Sequence, residues 1–327
     1  MTKKKPDRHL CKPIKHKIPD TREEWLQERQ KGLGGSDAGA ILGVNRYKSA
    51  YALWAEKTGL ITPPDVDNEA MRQGRDLEDY VARRFSEETG KKVQKSSFSY
   101  QSSEHPWMLA NIDRRIVGEN AGLECKTASL FADPDYIEGE IPMSYYCQCL
   151  HYMAVMGFDR MYLAALVLGR NFHVFTIDRS DPNVQRDLEA LVKAEEDFWR
   201  LVESHEPPEI DGSTSTKDSV MKLNPADPQE PDADIQDLEG LLDEREELKD
   251  SIEELKERID LIENRCRAAL GSSTRGFSCR YKIAYKPGTR TTFDSKSLKK
   301  DHPDIYSEYS TASETRALRI TRKKERA

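Results

Sequence analysis

The chain has 327 residues, enough for one sizeable domain with accessories or for two domains. Hydrophobic content of 37% supports a packed core, and no run of about 18 apolar residues is present, so no helical membrane span is expected. The net charge of −7 is unevenly spread: residues 181–270 hold 27 Asp/Glu against 11 Lys/Arg, so the remainder is net basic and able to approach a phosphate backbone.

Residues 1–19 read as a basic arm, with seven Lys/Arg and one acid, Asp7, in the first 17. A solvated end and a DNA-contacting arm fit it equally well, and the same holds for the basic tail from Arg316 to Arg326. Met1-Thr2-Lys3-Lys4-Lys5 lacks the apolar core of a secretory leader. Six cysteines at 11, 125, 147, 149, 266 and 279 form no C-x-x-C pair, so reduced thiols and a cytoplasmic setting are expected.

Residues 20–211 read as one α/β domain. A short helix over 21–32 is opened by Thr21. Gly32-Leu33-Gly34-Gly35-Ser36-Asp37 then leads into a second helix capped by Ser36 or Asp37, whose free N–H groups could meet a phosphate. Tyr51–Leu60 is an amphipathic helix. Residues 67–89 form a longer one, with Met71, Leu77, Val81 and Phe85 as its apolar stripe and Glu78 at the stripe's border.

The segment from Trp107 to Thr127 carries the chemistry. The run 107–112 ending at Asp113, then Ile116-Val117, and Gly122–Thr127 read as strands joined by a Gly- and Asn-containing turn at 118–122. Alternation along a strand puts Glu124 and Lys126 on one face, and folding the hairpin brings Asp113 beside Glu124. Two carboxylates and an ammonium on an apolar sheet are costly to bury unless a hard cation neutralises the carboxylates. That is apparatus for metal-assisted phosphodiester hydrolysis. Glu-x-Lys by itself says little, since it recurs at Glu247-Leu248-Lys249 and Glu254-Leu255-Lys256 on a charged helix. The strands, the turn and the upstream Asp113 set residues 113–126 apart.

A helix over Ser144–Met156 follows, then strands at 161–168 and 172–177 joined by Gly169-Arg170-Asn171, then a helix carrying Val184, Leu188, Leu191, Phe198 and Val202. Asp133-Pro134-Asp135 reads as a turn. Residues 212–236, rich in Ser, Thr, Asp and Pro, read as a linker. From 237 to 270, Leu241, Leu248, Ile252, Leu255, Ile259, Ile262, Cys266 and Ala269 follow coiled-coil spacing, interrupted by Arg245. Self-association and packing back as one arm of a helical hairpin both remain open. Residues 271–327 read as a small α+β module, with a strand over 277–286 and a second at 291–294.

Gly34-Gly35-Ser36-Asp37, Tyr51-Ala52-Leu53-Trp54, Lys57-Thr58-Gly59, Gly74-Arg75-Asp76-Leu77-Glu78, Ala110-Asn111-Ile112-Asp113, Leu123-Glu124-Cys125-Lys126-Thr127, Ile141-Pro142 and Gln148-Cys149-Leu150-His151-Tyr152 occur in this order. Over residues 30–205 the chain resembles the YqaJ-type viral recombinases, relatives of lambda exonuclease in the PD-(D/E)XK superfamily. The resemblance implies a restriction-endonuclease-like core, a mixed sheet flanked by helices. It implies a Mg²⁺-dependent deoxyribonuclease of phage or prophage type, with Mn²⁺ able to substitute, working in the cytoplasm of a bacterial host. By position, Asp113, Glu124 and the Cys125 carbonyl would bind metal, Glu78 would support a second ion, and Lys126 would position or activate the attacking water. Gln148 and Tyr152 would contact DNA, and Ser36 would hold a DNA phosphate. The family's activity is 5′-to-3′ resection of double-stranded ends for recombination with a single-strand annealing partner. One branch of the superfamily binds an iron–sulfur cluster, but the cysteines here lack that spacing and no cluster is expected. Two other readings stand beside this one: an endonuclease or nickase that needs no free end, and a non-catalytic DNA-end-binding scaffold. The intact Asp113, Glu78, Glu124 and Lys126 argue against the scaffold.

Overall fold

The computed structural model describes residues 12–63, 67–131, 136, 140–312 and 316–323. Residues 1–11, Asp133 and Asp135, and the tail from Lys324 lie outside them, so the expectations placed there have no structural counterpart. The chain divides into two units, 1–229 and 230–327.

In the first unit, β1 (Ile14–Lys17), α1 (Arg22–Gln30), β2 (Leu33–Gly34), α2 (Gly35–Ile41), α3 (Ala50–Lys57) and α4 (Glu69–Thr89) come first. Then follow β3 (Val93–Lys95), β4 (Phe98–Gln101), β5 (Met108–Ala110), β6 (Arg114–Ile116) and β7 (Ala121–Ala128). The unit ends with α5 (Met143–Met156), β8 (Arg160–Val167), β9 (Phe172–Asp178), α6 (Pro182–Ser204) and α7 (Thr214–Leu223). Five strands form one sheet in the order β3-β6-β7-β8-β9, and four form another in the order β1-β4-β5-β2. In the larger sheet only β7 and β8 run parallel, with α5 as their crossover.

Alternation along β7 and β8 decides what each face meets. Leu123 lies opposite Tyr162, and with Ala164 they pack on Val81 and Phe85 of α4. Glu124 lies opposite Leu163, and Met161 and Leu163 pack on Leu150, Met153 and Met156 of α5. Glu124 therefore belongs to the α5 face, among apolar neighbours. Helix ends follow their caps: Thr21, Ser49 and Asn68 each accept a backbone N–H at the start of α1, α3 and α4, and Gly90 ends α4 in the left-handed conformation.

Several expectations are corrected. The run 107–113 is not one strand: Met108–Ala110 pairs in the smaller sheet, and residues 111–113 carry the chain across to β6 in the larger. Part of the N-terminal arm is ordered, with Ile14–Lys17 pairing antiparallel with β4. Gly34, not Ser36 or Asp37, is the N-cap of α2. Met71 is half exposed, because the first turns of α4 run outside the core that Val81, Ala82 and Phe85 enter. The 212–236 segment is not linker throughout. Ser213 caps α7, the buried Thr216 hydroxyl donates to Ser49, and Val220 and Leu223 pack beside α3. Prolines 225, 228 and 231 begin only after that helix.

In the second unit, α8 (Glu239–Leu270) is one helix of 32 residues with no buried residue. β10 (Arg275–Phe277) and β11 (Lys282–Ala284) form a hairpin around a Ser278–Tyr281 turn. α9 (Ser295–Asp301) and α10 (Pro303–Glu308) follow. The strand expected over 277–286 is thus the last residue of β10, a turn and β11, and 291–294 is not a strand. Among the described residues no helix is long and apolar enough to cross a membrane.

Candidate active site

Asp113 sits one residue before β6, where Arg114 pairs with Leu123 of β7, so the Asp113–Glu124 proximity expected from the hairpin is present. The Cys125 N–H donates to Asp113 Oδ2 at 2.7 Å, fixing the carboxylate against the strand. Glu124 is 3% exposed. Its Oε1 takes the Lys126 ammonium at 2.7 Å and the Gln148 amide at 2.6 Å. Its Oε2 is buried with no hydrogen-bond partner, and among the described residues no other buried side-chain nitrogen or oxygen is left so.

The electrostatics follow from that packing. Burial, and then the Glu124 carboxylate, hold Asp113 well above the usual carboxylate range. Burial likewise raises Glu124. Burial opposes the charge on Lys126, but Glu124 and Asp113 outweigh it and push the ammonium's pKa up. Lys126 also lies over the Tyr145 ring, 4.8 Å from its centre. Lys126 is therefore a fixed cation here, a poor proton acceptor. Cys125, between the two carboxylates, is raised by burial and by Asp113, and its thiol stays protonated.

Glu78 reaches this pair electrostatically, its charge helping to raise both Asp113 and Glu124. It comes from α4, on the other face of the sheet, and its Oε1 accepts from Arg114 Nη1 at 2.5 Å, with Lys95 at 3.7 Å. Asp79 takes the other side of the same guanidinium. Arg114 also donates to the Asp113 carbonyl at 2.6 Å, which ties Glu78 to the site through the backbone. Glu78 is near enough to help raise Asp113. Among the described residues no three His, Cys, Asp or Glu side chains stand together as a metal cluster. Asp113 and Glu124 supply hard oxygens, one of them bare, and that donor set suits a hard cation.

Gln148 and Tyr152 stand next to this pair. They are 6% and 5% exposed, and the Gln148 amide bridges Glu124 to the Tyr152 hydroxyl at 3.0 Å. The Gln148 amide thus helps to hold Glu124 in place, with the Tyr152 hydroxyl as its second acceptor. Ser36 is exposed in the first turn of α2, its hydroxyl accepting from Arg29 at 2.9 Å.

Sequence reasoning missed three supports. Buried Lys57 meets Asp37 at 2.9 Å and donates to the carbonyls of Arg29 and Gly32, both at 2.6 Å. Burial alone would raise Asp37, but Lys57, Arg29 and the Gly34 N–H lower it to about 2. Gly35 lets α2 approach α5: an added Cβ would lie 2.6 Å from the Tyr152 ring. His151, fully buried, has Nδ1 at 2.8 and 3.0 Å from the Glu195 carboxylate and Nε2 at 2.9 Å from the Leu109 carbonyl. Both ring nitrogens face acceptors, an arrangement that favours the imidazolium and braces the ring between α5, α6 and β5. Asp37 and Lys57 both stand within the recognised motifs. Glu195 carries no sequence signal beyond being a charge on the apolar face of a helix.

Comparison with known proteins places this site in context. The YqaJ-like viral recombinase domain matches residues 24–159. The uncharacterized protein YqaJ of Bacillus subtilis (strain 168) is 35% identical over 291 residues, covering 88% of this chain and 90% of that protein. Among solved structures, LHK-Exo from Laribacter hongkongensis in complex with dAMP has a TM-score of 0.47 at 20% identity, covering 56% of this chain and 94% of that one. A phage related exonuclease from Haemophilus somnus 129PT has a TM-score of 0.40 at 12% identity, covering 53% and 96%.

Proposed function

Because the chain belongs to the YqaJ-like viral recombinase family, we propose that it is a metal-dependent DNA nuclease that resects double-stranded ends 5′ to 3′ for recombination. The observation that carries the reading is the bare, buried Oε2 of Glu124 beside Asp113 and Lys126. An orphaned carboxylate oxygen is costly, and two adjacent buried carboxylates resist joint ionisation. A divalent cation between them relieves both costs.

Asp113, Glu124 and the Cys125 carbonyl would hold the ion. When bound, Mg²⁺, or Mn²⁺ in its place, supplies a Lewis acid for the phosphodiester and a lowered pKa for water. The remaining work belongs to the chain. Lys126, kept as an ammonium, opposes the negative charge that develops on the phosphate during displacement. Gln148, held by Tyr152, fixes the rotamer of Glu124. Ser36, exposed beside Arg29, is the DNA-phosphate contact. A single-strand annealing protein is the expected partner for the strand left behind, and α8 is the element for self-association.

Incubation of the full chain with Mg²⁺ and either linear or covalently closed circular duplex tests this. The linear duplex should be degraded from its 5′ ends and the circle spared. Cutting of the circle would replace the exonuclease reading with an endonuclease, and inertness toward both would remove the nuclease reading.

A further inference from the structure

The β10–β11 hairpin carries groups that the fold does not use. Residues 271–293 hold five cations, Arg275, Arg280, Lys282, Lys286 and Arg290, and no Asp or Glu, in a chain whose net charge is −7. Four aromatics are interleaved with them, and none is packed away: Phe277 is 91% exposed, Tyr281 67%, Tyr285 54% and Phe293 75%. Exposed aromatics at this density are unusual on a soluble surface and mark contact sites.

The register sorts the hairpin into two faces. Gly276 lies opposite Ile283, and a Cβ on Gly276 would meet the Leu270 side chain at 2.6 Å, so that face rests on the end of α8. Phe277 lies opposite Lys282, and Arg275 shares their face, which is open. A bare ring is thus flanked by two cations on a two-stranded ribbon; Tyr281 and Tyr285, at the two ends of β11, alternate to the Ile283 side, and both remain more than half exposed.

We propose that this hairpin binds single-stranded DNA, its aromatics stacking on bases while Arg275, Arg280, Lys282 and Lys286 follow the phosphates. Aromatic platforms in a cationic track are the general solution for single strands, since every base offers a π-face and every linkage a charge. Duplex hides its base faces except at ends, which leaves exposed rings without a use. A protein partner would have to be both acidic and aromatic-binding, whereas one ligand class supplies both complements here. The proposal does not rest on the nuclease reading, because the hairpin lies in the second unit and uses none of the hydrolytic residues.

The test is fluorescence anisotropy of a labelled oligothymidylate with the full chain in EDTA, alongside blunt duplex and oligouridylate as competitors. Phe277→Ala with Tyr281→Ala should weaken binding to the single strand by about tenfold or more, and Phe277→Trp should retain it. Arg280→Glu with Lys282→Glu should weaken it and flatten its salt dependence. Unchanged affinity in both double variants overturns the proposal and leaves the aromatics to a protein partner. Equal losses for duplex and single strand overturn the single-strand preference, and preferred displacement by oligouridylate redirects the site to RNA. Circular dichroism on each variant excludes unfolding. Glu124→Gln keeps the two questions apart: it should lose cleavage of linear duplex and bind oligothymidylate like the parent.

Discussion

Glu124 is held by Lys126 and Gln148 through one oxygen and left unpaired at the other, and its neighbours differ in what they contribute. Glu124→Gln, Asp113→Asn and Lys126→Ala should each lower cleavage of linear duplex by about a hundred- to a thousandfold or more, with duplex binding in Ca²⁺ retained. Near-parental cleavage by the Glu124 variant would remove the pair from the chemistry. Glu78 acts at longer range. It neutralises Arg114 and adds negative field at Asp113, so Glu78→Gln should raise the Mg²⁺ needed for half-maximal cleavage several-fold and lower the melting temperature, because the 3%-exposed Arg114 loses a charged partner. A metal titration that does not move would confine Glu78 to bracing Arg114. Gly35→Ala pushes a methyl into the buried Tyr152 ring, so it should cost about 1–3 kcal/mol and reduce turnover through Gln148 and Glu124. Gly34→Ala is the control, since its added Cβ meets only Asp37 Oδ2 at 3.9 Å. Equal behaviour of the two glycine variants would discount the Gly35–Tyr152 contact.

Helix α5 carries Gln148 and Tyr152 to the sheet, and the His151–Glu195 pair locks that helix to α6. Burial lowers His151, but Glu195 and the Leu109 carbonyl outweigh it and raise the pKa above 6.5. A raised folded value means that the stabilisation is complete below the unfolded pKa and is lost as pH rises through the folded one. Unfolding free energy measured by urea between about pH 6 and 9 should therefore fall with pH in the parent and show a shallower slope in Glu195→Gln. Identical slopes would mean that the ring is neutral. This brace also marks how far the sequence could be read. Strand alternation at Leu123-Glu124-Cys125-Lys126 and the turn before it put Asp113 and Glu124 together, because both signals are local. The partners of Arg114 and His151 lie 36 and 44 residues away, on elements whose faces depend on the sheet register. The Ser/Thr-rich start of 212–236 concealed α7, because its anchors, the hydroxyls of Ser213 and Thr216, are also loop-forming residues. The α4 stripe includes Met71 by spacing, yet Met71 is half exposed, since periodicity cannot say where a helix overruns its core.

Across the whole molecule, charge is sorted into an acidic stretch ending in α8 and a basic remainder, so α8 is repelled by DNA and is available to protein. Its seam is the basis for expecting a second copy of this chain as that protein. Placing Leu241, Leu248, Leu255 and Ile262 at d puts Arg245, Ile252, Ile259 and Cys266 at a, and β-branched a with Leu at d favours two parallel strands. The aliphatic seam residues are each at least half exposed, Ile252 least at 50% and Leu255 most at 65%. In a parallel pair, g-to-e contacts set Glu244 against the partner's Lys249 and Arg258 against the partner's Glu263, with no like pair. An antiparallel pair on the same seam would set Lys249 against the partner's Lys256. Arg245, polar at an a position, fixes the register at some cost in stability. The full chain should be a dimer by light scattering, and Ile252→Asp with Ile259→Asp should make it a monomer while cleavage of linear duplex persists. Glu244→Lys alone should weaken the dimer, and adding Lys249→Glu should restore it. In a background of Cys11→Ser and Cys279→Ser, mild oxidation should join Cys266 to the partner's Cys266, which only a parallel, in-register pair brings together. A dimer that resists this crosslink would be antiparallel, and a parent chain that is monomeric at every concentration would leave the seam for a different protein.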